Sequence, residues 1–297
     1  MDYQFDGNIL TITHIPTSIQ TVEDFLYTFL QSKKNRYLLI KDKQLFIDNK
    51  PITDIHTTLD THNISISIPD QDIDWKCADR SCPVIYEDDF VYIAHKEAGI
   101  IIHGEEDDTT CLMAQAAHYQ QEHAIYAPVR PIHRLDRDTQ GLVLFSKIPF
   151  FQPLLDHQLS NKLIQRSYIA ICKGKIPKKK DMVIDSPIGK DRHRNGVYRV
   201  SKSGQSAKTI VKFLKEENGL IYFLCTLQTG RTHQIRVHLS SIGYPIINDS
   251  LYGIKDPTYK NMGLYAFQLQ LKQPITNKEI TVIDSHIKDL GGFLYEV

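Results

Sequence analysis

No stretch of this chain comes near the roughly 20 consecutive apolar residues that a membrane helix needs, so no membrane span is expected. Cysteine is sparse. Cys77, Cys82, Cys111, Cys172 and Cys225 are odd in number and scattered, as in the reduced thiols of a cytoplasmic protein rather than a disulfide scaffold. Cys77 and Cys82 fit no zinc spacing and no second pair follows them, so no metal is expected. The opening MDYQFDGNIL is acidic and lacks both a basic leader and an apolar core, which predicts no signal peptide. Phosphate-loop and dinucleotide glycine patterns are missing too, and no cofactor is expected.

Neither sign of charge is in excess: 35 Lys and Arg face 35 Asp and Glu, which by itself argues against a nucleic-acid binder. The distribution argues the other way. Residues 1–75 hold 6 basic and 11 acidic side chains, a net of −5, and the remainder holds 29 and 24, a net of +5. Lys173 to Lys208 alone carries 11 basic and 3 acidic residues, a net of +8. Such a stretch suits phosphates, with Lys178, Lys179 and Lys180 as expected contacts, although a solvated face has the same composition.

What is present reads as a small α+β unit followed by a larger one. Thr21 to Gln31 opens on an N-cap and spaces Val22, Phe25, Leu26, Phe29 and Leu30 along one helical face. A short helical or extended segment, an Asp48-Asn49 turn and the alternating NISISIPD strand (Asn63 to Asp70) follow. PDQDIDWKCADRSCP reads as a linker, with the boundary near residue 75. Deletion of residues 1–75 is expected to leave a folded, active remainder. Beyond it, FVYIAHK, GLVLFSK and RSYIAICKG read as strands, and TIVKFLKEENGLIYFLCTLQ as a hairpin turning at Asn218-Gly219. The fold class is α+β, a mixed and largely antiparallel sheet with a small α+β N-terminal domain.

Two stretches concentrate chemistry. PIHRLDRDTQGLVLFSK (Pro131 to Lys147) sets Asp136 between Arg134 and Arg137 just before a buried strand. Nearby guanidinium groups favour an ionised carboxylate, and a strand holds it rigidly. A charge-paired loop would look the same. In QTGRTHQIRVHLSSIGYPI (Gln228 to Ile246), Thr232 is expected to cap a helix that packs Ile235, Leu239 and Ile242 inward and ends at Gly243. Arg231, His233 and Arg236 then lie near its start, placed for an anion or a carboxylate partner.

Taken together, these stretches resemble the RluA-type pseudouridine synthases. PIHRLDRDTQGL is similar to the signature H-R-L-D-x-x-T-S-G-L, and GRTHQIRVHLSSIGYPIINDSLYG to G-R-T-H-Q-I-R-V-H with G-x-P-I-x-G-D-x-x-Y-G. RSYIAICKG resembles the family's Y-x-A-x-x-x-G strand, and IYEDDFVYIAHKEAG its opening Y-x-D-x-x-x-V-x-x-K-P-x-G. The motifs span residues 85 to about 270 in order. Departures are Glu97 for proline, Gln140 for serine, Asn248 for glycine and Tyr265 for histidine. The resemblance implies an isomerase acting on RNA, with residues 76–297 as the catalytic domain and no cofactor or metal. It implies Asp136 as the catalytic carboxylate, Arg236 as its cation and Tyr168 as the residue stacked on the base. Arg134 would displace the nucleotide, with His133, Thr139, Arg231 and His233 in the substrate site. Residues 1–75 resemble the αL-type RNA-binding module of a ribosomal small-subunit protein, without its Ser-Arg and Gly-Asp elements (Ser32-Lys33 and His62-Asn63 here). A cytoplasmic monomer acting on rRNA or tRNA is expected, rRNA first. The rivals are a non-catalytic RNA-binding assembly factor on the same scaffold, and a sugar or nucleoside hydrolase using Asp138 or Asp249 as second acid.

Overall fold

The computed structural model describes residues 1–60, 63–105 and 107–287; His62 of the missing Gly-Asp element lies outside them. The first strands are β1 (Asp2–Asp6), β2 (Ile9–Thr13), β3 (Leu45–Ile47), β4 (Lys50–Pro51) and β5 (Ile64–Ser67). They form one sheet in the order β1-β2-β5-β3-β4. Helices α1 (Val22–Thr28) and α2 (Lys33–Lys41) lie between β2 and β3. Thr21 and Asp24 close a reciprocal capping box on α1, which satisfies two orphan backbone donors and sets the helix start. The helix is shorter than its apolar pattern: Leu30 falls beyond it, left-handed at φ 57° and 39% exposed. Asp48 and Asn49 both take positive φ (50° and 61°) in the β3–β4 turn, as a two-residue hairpin requires.

The larger sheet comprises β6 (Val84–Glu87), β7 (Val91–Lys96), β8 (Arg130–Pro131), β9 (Gln140–Ser146), β10 (Gln165–Lys173), β11 (Asp181–Asp185), β14 (Lys208–Glu217), β15 (Leu220–Leu227), β16 (Leu264–Lys272) and β17 (Glu279–Ile283). A separate hairpin pairs β12 (Ile188–Lys190) with β13 (Tyr198–Val200). The main path runs β11-β14-β15-β10-β16-β9-β7-β6. Among the described residues its strands pair antiparallel except β9 with β16, where Gln140 lies opposite Tyr265 and Gly141 opposite Ala266. That contact needs glycine: Gly141 has φ +119°, and a Cβ there would sit 2.2 Å from the Ala266 carbonyl oxygen. The Asp136 loop is thereby held one strand away from Tyr168 on β10.

Helices α3 (Leu112–Glu122), α4 (Gln152–Ser160) and α5 (Gln234–Ser241) cover the sheet. Ala114, Ala116 and Ala117 let α3 lie close against Tyr92, Ala94, Val143 and Phe145. Between Gln71 and Pro83 the chain forms no strand or helix but is tied to the larger unit, through Gln71 N–H to the Tyr126 carbonyl and Asp74 to Arg130 and the Val129 N–H.

The two sheets share an aromatic seam. Tyr3 packs edge-on to Phe90 at 4.9 Å, Phe29 meets Phe150 and Phe151 at 5.5 Å, and Phe90 meets Phe151 at 4.9 Å. The Tyr3 hydroxyl donates to Asp89 at 2.8 Å, and the Gln31 amide to the Phe150 carbonyl at 2.6 Å. Buried residues of both units form one continuous apolar cluster here. Edge-to-face rings of this kind add about 0.5–1.5 kcal/mol per pair beyond burial. No helix among the described residues is long and apolar enough to cross a membrane.

Candidate active site

The loop before β9 turns on a backbone bond from Thr139 N–H to the Asp136 carbonyl at 3.1 Å. Beneath it lies Lys96, at the end of β7 and fully buried. Its ammonium donates to the carbonyls of Glu97, Ile100 and Arg137 at 2.9, 2.7 and 2.8 Å. One point charge thus ties two loops together. Burial pulls Lys96 down to about 8, against the charges of Asp138 and Asp136. Glu97, which replaces the family's proline, pairs with Arg80 at 2.9 Å on the surface.

The arginines flanking Asp136 do not hold it: Arg137 pairs with Asp138 at 3.1 Å, and Arg134 is exposed. The cation at Asp136 is Arg236, whose Nη1 donates to Oδ2 at 2.9 Å. The same guanidinium forks onto Asp249, with Nε to Oδ2 at 2.7 Å and Nη2 to Oδ1 at 2.9 Å. Asp249 is fully buried as a side chain and also accepts from the N–H groups of Leu251 and Tyr252. Burial would raise its carboxyl, but Arg236 and these two amides hold it below the ordinary range. Arg236 is therefore an oriented, permanently charged bridge between one buried carboxylate and one at the cleft. Asp249 is the structural partner of that bridge, not the second acid of a hydrolase.

Helix α5 begins one residue later than its composition suggests. His233, left-handed at φ 55°, is the N-cap, and Thr232 is not. From this left-handed position the His233 ring lies with Nε2 3.9 Å from Asp136 Oδ2. His233 Nδ1 bonds the Tyr252 hydroxyl at 2.9 Å. Burial keeps the ring below its ordinary range despite the Asp136 charge. Ile242, expected inside, is 39% exposed beyond the last turn, and Gly243 (φ +86°) ends the helix.

Tyr168 is 4% exposed on β10. Burial pushes its phenol above the ordinary range, opposed by the Arg166 guanidinium and reinforced by Asp136. His133 is buried, and its Nε2 accepts the Leu144 N–H at 3.3 Å. Arg231 donates to the Ser206 carbonyl at 2.9 Å. Asp136, Tyr168, Arg236, Arg134, His133, Thr139, Arg231 and His233 all line one cleft of about 940 Å³. Lys96, Asp249 and Arg166 belong to the same machinery, though sequence reasoning passed over the first and last and gave Asp249 only to the hydrolase rival. The first two stood in the quoted motifs as K-P-x-G and G-D, and Arg166 stood two places before Tyr168.

The model of the RNA pseudouridylate synthase family matches residues 90–241. The "Uncharacterized RNA pseudouridine synthase YhcT" of Bacillus subtilis (strain 168) is 41% identical over 202 residues, which are 66% of this chain and 66% of the relative. Ribosomal large subunit pseudouridine synthase D of Nitrosomonas europaea is 35% identical over 202 residues, 64% of this chain and 58% of the relative. The matched stretch thus spans just under two thirds of the first relative's length and less of the second's. Among solved structures, Human RNA Pseudouridylate Synthase Domain Containing 1 superposes with a TM-score of 0.58 at 20% identity, covering 69% of this chain and 83% of that one. A second, Human RNA Pseudouridylate Synthase Domain Containing 4, gives 0.57 at 21% identity, covering 68% and 88%. The likeness to these two is one of fold. This chain belongs to the RNA pseudouridylate synthase family.

Proposed function

We propose that the chain isomerises uridine to pseudouridine within ribosomal RNA, as a cytoplasmic monomer. In this reaction the bond from ribose C1′ to uracil N1 breaks and a bond from C1′ to C5 forms. C5 loses a proton and N1 gains one, so atoms and electrons balance without a donor. Asp136 acts on the sugar as nucleophile or base. Arg236 fixes the carboxylate from one side and leaves the other oxygen to the cleft. Tyr168 stacks on the base and assists proton removal at C5. Arg134, exposed at the rim, enters the RNA stack as the uridine leaves it, because base chemistry inside RNA requires flipping. Thr139 closes the loop, while His133, His233 and Arg231 hold the nucleotide. Residues 76–297 form the catalytic unit, and residues 1–75 an RNA-binding-like unit docked on it.

The observation that carries this reading is the Asp249–Arg236–Asp136 bridge. Arg236 has its charge already met by buried Asp249, so its remaining N–H serves to aim Asp136 into a cleft large enough for a nucleotide. Tritium release from RNA labelled at uracil C5, followed by a pseudouridine map of ribosomal RNA, tests it. Absence of release by the wild-type chain on ribosomal and transfer RNA alike would overturn the activity; release from transfer RNA alone would move the substrate.

A further inference from the structure

Of the cations that line the cleft, Arg166 alone is neither exposed nor paired among the described residues. Arg166 lies half-buried on β10, two residues before Tyr168, and lines the same cavity. Among the described residues its side chain has no hydrogen bond or ion pair, and its Nε is buried without a partner. Gly230 keeps the guanidinium uncovered: a Cβ there would stand 3.3 Å from the Arg166 Nη2. A partly desolvated charge in this state is costly unless something from outside meets it.

His133 beside it offers no counter-charge. It is 5% exposed. Burial, with the Arg166 charge, pushes the ring down to about 3, and the Arg134 carbonyl offsets this only in part. The ring is therefore neutral. Because Nε2 accepts the Leu144 N–H, the single ring proton sits on Nδ1. That Nδ1 is buried beside the Arg134 carbonyl and is shut off from the cleft. The Arg166 guanidinium thus lines the cleft with its charge unmet. A neutral oxygen such as a uracil carbonyl would satisfy the guanidinium's donors and leave the charge. A phosphate oxygen satisfies both.

We propose that Arg166 forms a phosphate subsite that seats a phosphodiester oxygen of the RNA backbone next to the target uridine. The inference rests on the RNA-modifying reading above. It makes Arg166 a positioning residue: it grips the strand so that the uridine can swing out to Asp136 while the backbone stays.

The test compares wild type with Arg166→Gln and Arg166→Lys in single-turnover pseudouridine formation on unmodified ribosomal RNA, with RNA affinity followed against salt. Arg166→Gln should raise the half-saturating RNA concentration by about tenfold or more, as loss of a charge-assisted bond does. The saturated rate should fall by much less. The slope of log affinity against log salt should flatten by about 0.7, one phosphate's share on a single strand. Arg166→Lys should restore the slope but only part of the affinity, since it keeps the charge and loses the fork. Melting temperature should hold or rise in Arg166→Gln, because an unmet charge has been removed. An unchanged slope overturns the subsite, whether affinity is unchanged or reduced; a reduced affinity at unchanged slope would assign the guanidinium to a neutral base oxygen. A marked fall in melting temperature would make Arg166 a structural residue and overturn it too. Failure of the underlying reading shows separately, as absence of pseudouridine with wild type.

Discussion

Strands β7 and β9 run side by side between two unlike places. At one end stand Lys96 and Gly141, under the Asp136 loop; about 17 Å on, at five residues of ~3.4 Å each, stand Val91 and Ser146, beside the rings of Phe90 and Phe151. The cleft end is built from charges that would be expensive if left alone: Lys96 on three carbonyls, and Arg236 between two carboxylates. The seam end is built from aromatic faces, with two hydrogen bonds at its rim. At the cleft, removing one partner strands another, so errors are large and specific. At the seam, removal leaves a cavity, and its cost follows volume. The difference lies in how each place fails.

Asp136→Asn should break the cleft's chemistry and spare its structure. Arg236 keeps its fork on Asp249, and the Asp136 side chain is 27% exposed. Pseudouridine formation should drop by several decades, as loss of a covalent or basic carboxylate does, with the melting temperature nearly unchanged. Turnover above about 1% of wild type would sink the role given to Asp136. Asp249→Ala should do the reverse in kind: it leaves Asp136 in place and strands a buried guanidinium, at about 3–5 kcal/mol of stability. Urea unfolding of the variant measures this, and a loss below 1 kcal/mol would mean that Asp136 alone suffices to hold Arg236.

At the seam, Phe29 is 1% exposed among Phe25, Phe150 and Phe151. Phe29→Ala should cost about 3 kcal/mol through the cavity it leaves, while the activity of the folded fraction stays at wild type. Deleting residues 1–75 uncovers Phe90, Phe150 and Phe151 together, so the seam argues for an aggregation-prone remainder rather than a freely soluble one. A monomeric, fully active deletion variant would show that the two units do not depend on each other.

Local signals were readable where a single physical rule governs. The Thr21 cap, the Asn218-Gly219 turn (φ 53° and 75°) and the alternating Ile64–Ser67 strand follow from side-chain chemistry and period. Helix α3 gave no stripe to read, because Leu112 to Ala117 and Tyr119 and Gln120 are all buried, and buried Gln115 and Gln120 interrupt any apolar period. The start of α5 was misread for another reason. Threonine is the better cap by propensity, but the helix starts on left-handed His233, whose ring bonds the Tyr252 hydroxyl instead of capping, and propensity does not report such tertiary contacts. Arg236 could be tied to Asp136 only through a family pattern, since the two are 100 residues apart. Asp249 was weighed only as a hydrolase's second acid, because it stands 13 residues from Arg236 and nothing local marks the two as partners.

Lys96 sharpens the contrast by pH. Its ordinary value near 10.5 is pulled to about 8 by burial. The unfolded chain therefore keeps this proton up to about 10.5 while the folded chain releases it near 8. Between those values the folded state binds fewer protons, so this group adds stability as pH rises. The full shift is worth up to about 3 kcal/mol. Lys96→Met removes the titration, so wild type should gain on the variant by about 2–3 kcal/mol between pH 7.5 and pH 10 in urea unfolding. A gap that stays constant with pH would place Lys96 at its ordinary value.

The smallest effect concerns the basic stretch, where two regions of like composition again differ by place. Lys178, Lys179 and Lys180 precede β11, and Lys180 accepts from Phe213 N–H. Strand β11 then pairs Asp185 with Lys208, so it carries the chain about 16 Å onward at ~3.3 Å per residue. Only after that does the β12–β13 hairpin begin. It packs on α5 through Ile188 and Val237, sets the Tyr198 ring 5.6 Å from that of His233, and lines a small cavity with Gly230, Arg231 and Thr232. Exposed Arg192, Arg199 and Lys202 thus belong to the hairpin that packs by the cleft, while the three lysines precede it by a strand's length. Replacing Arg192, Arg199 and Lys202 by Ala should flatten the salt slope of RNA affinity by up to about 2, at ~0.7 per phosphate on a single strand. Replacing Lys178, Lys179 and Lys180 should change it by less than about 0.5. The sequence expectation assigned these lysines to phosphate; the path of β11 argues against it, and the two triple variants decide. Equal flattening by both triples would mean that RNA runs along the whole β11 edge, and that position relative to the cleft does not decide which charges it meets.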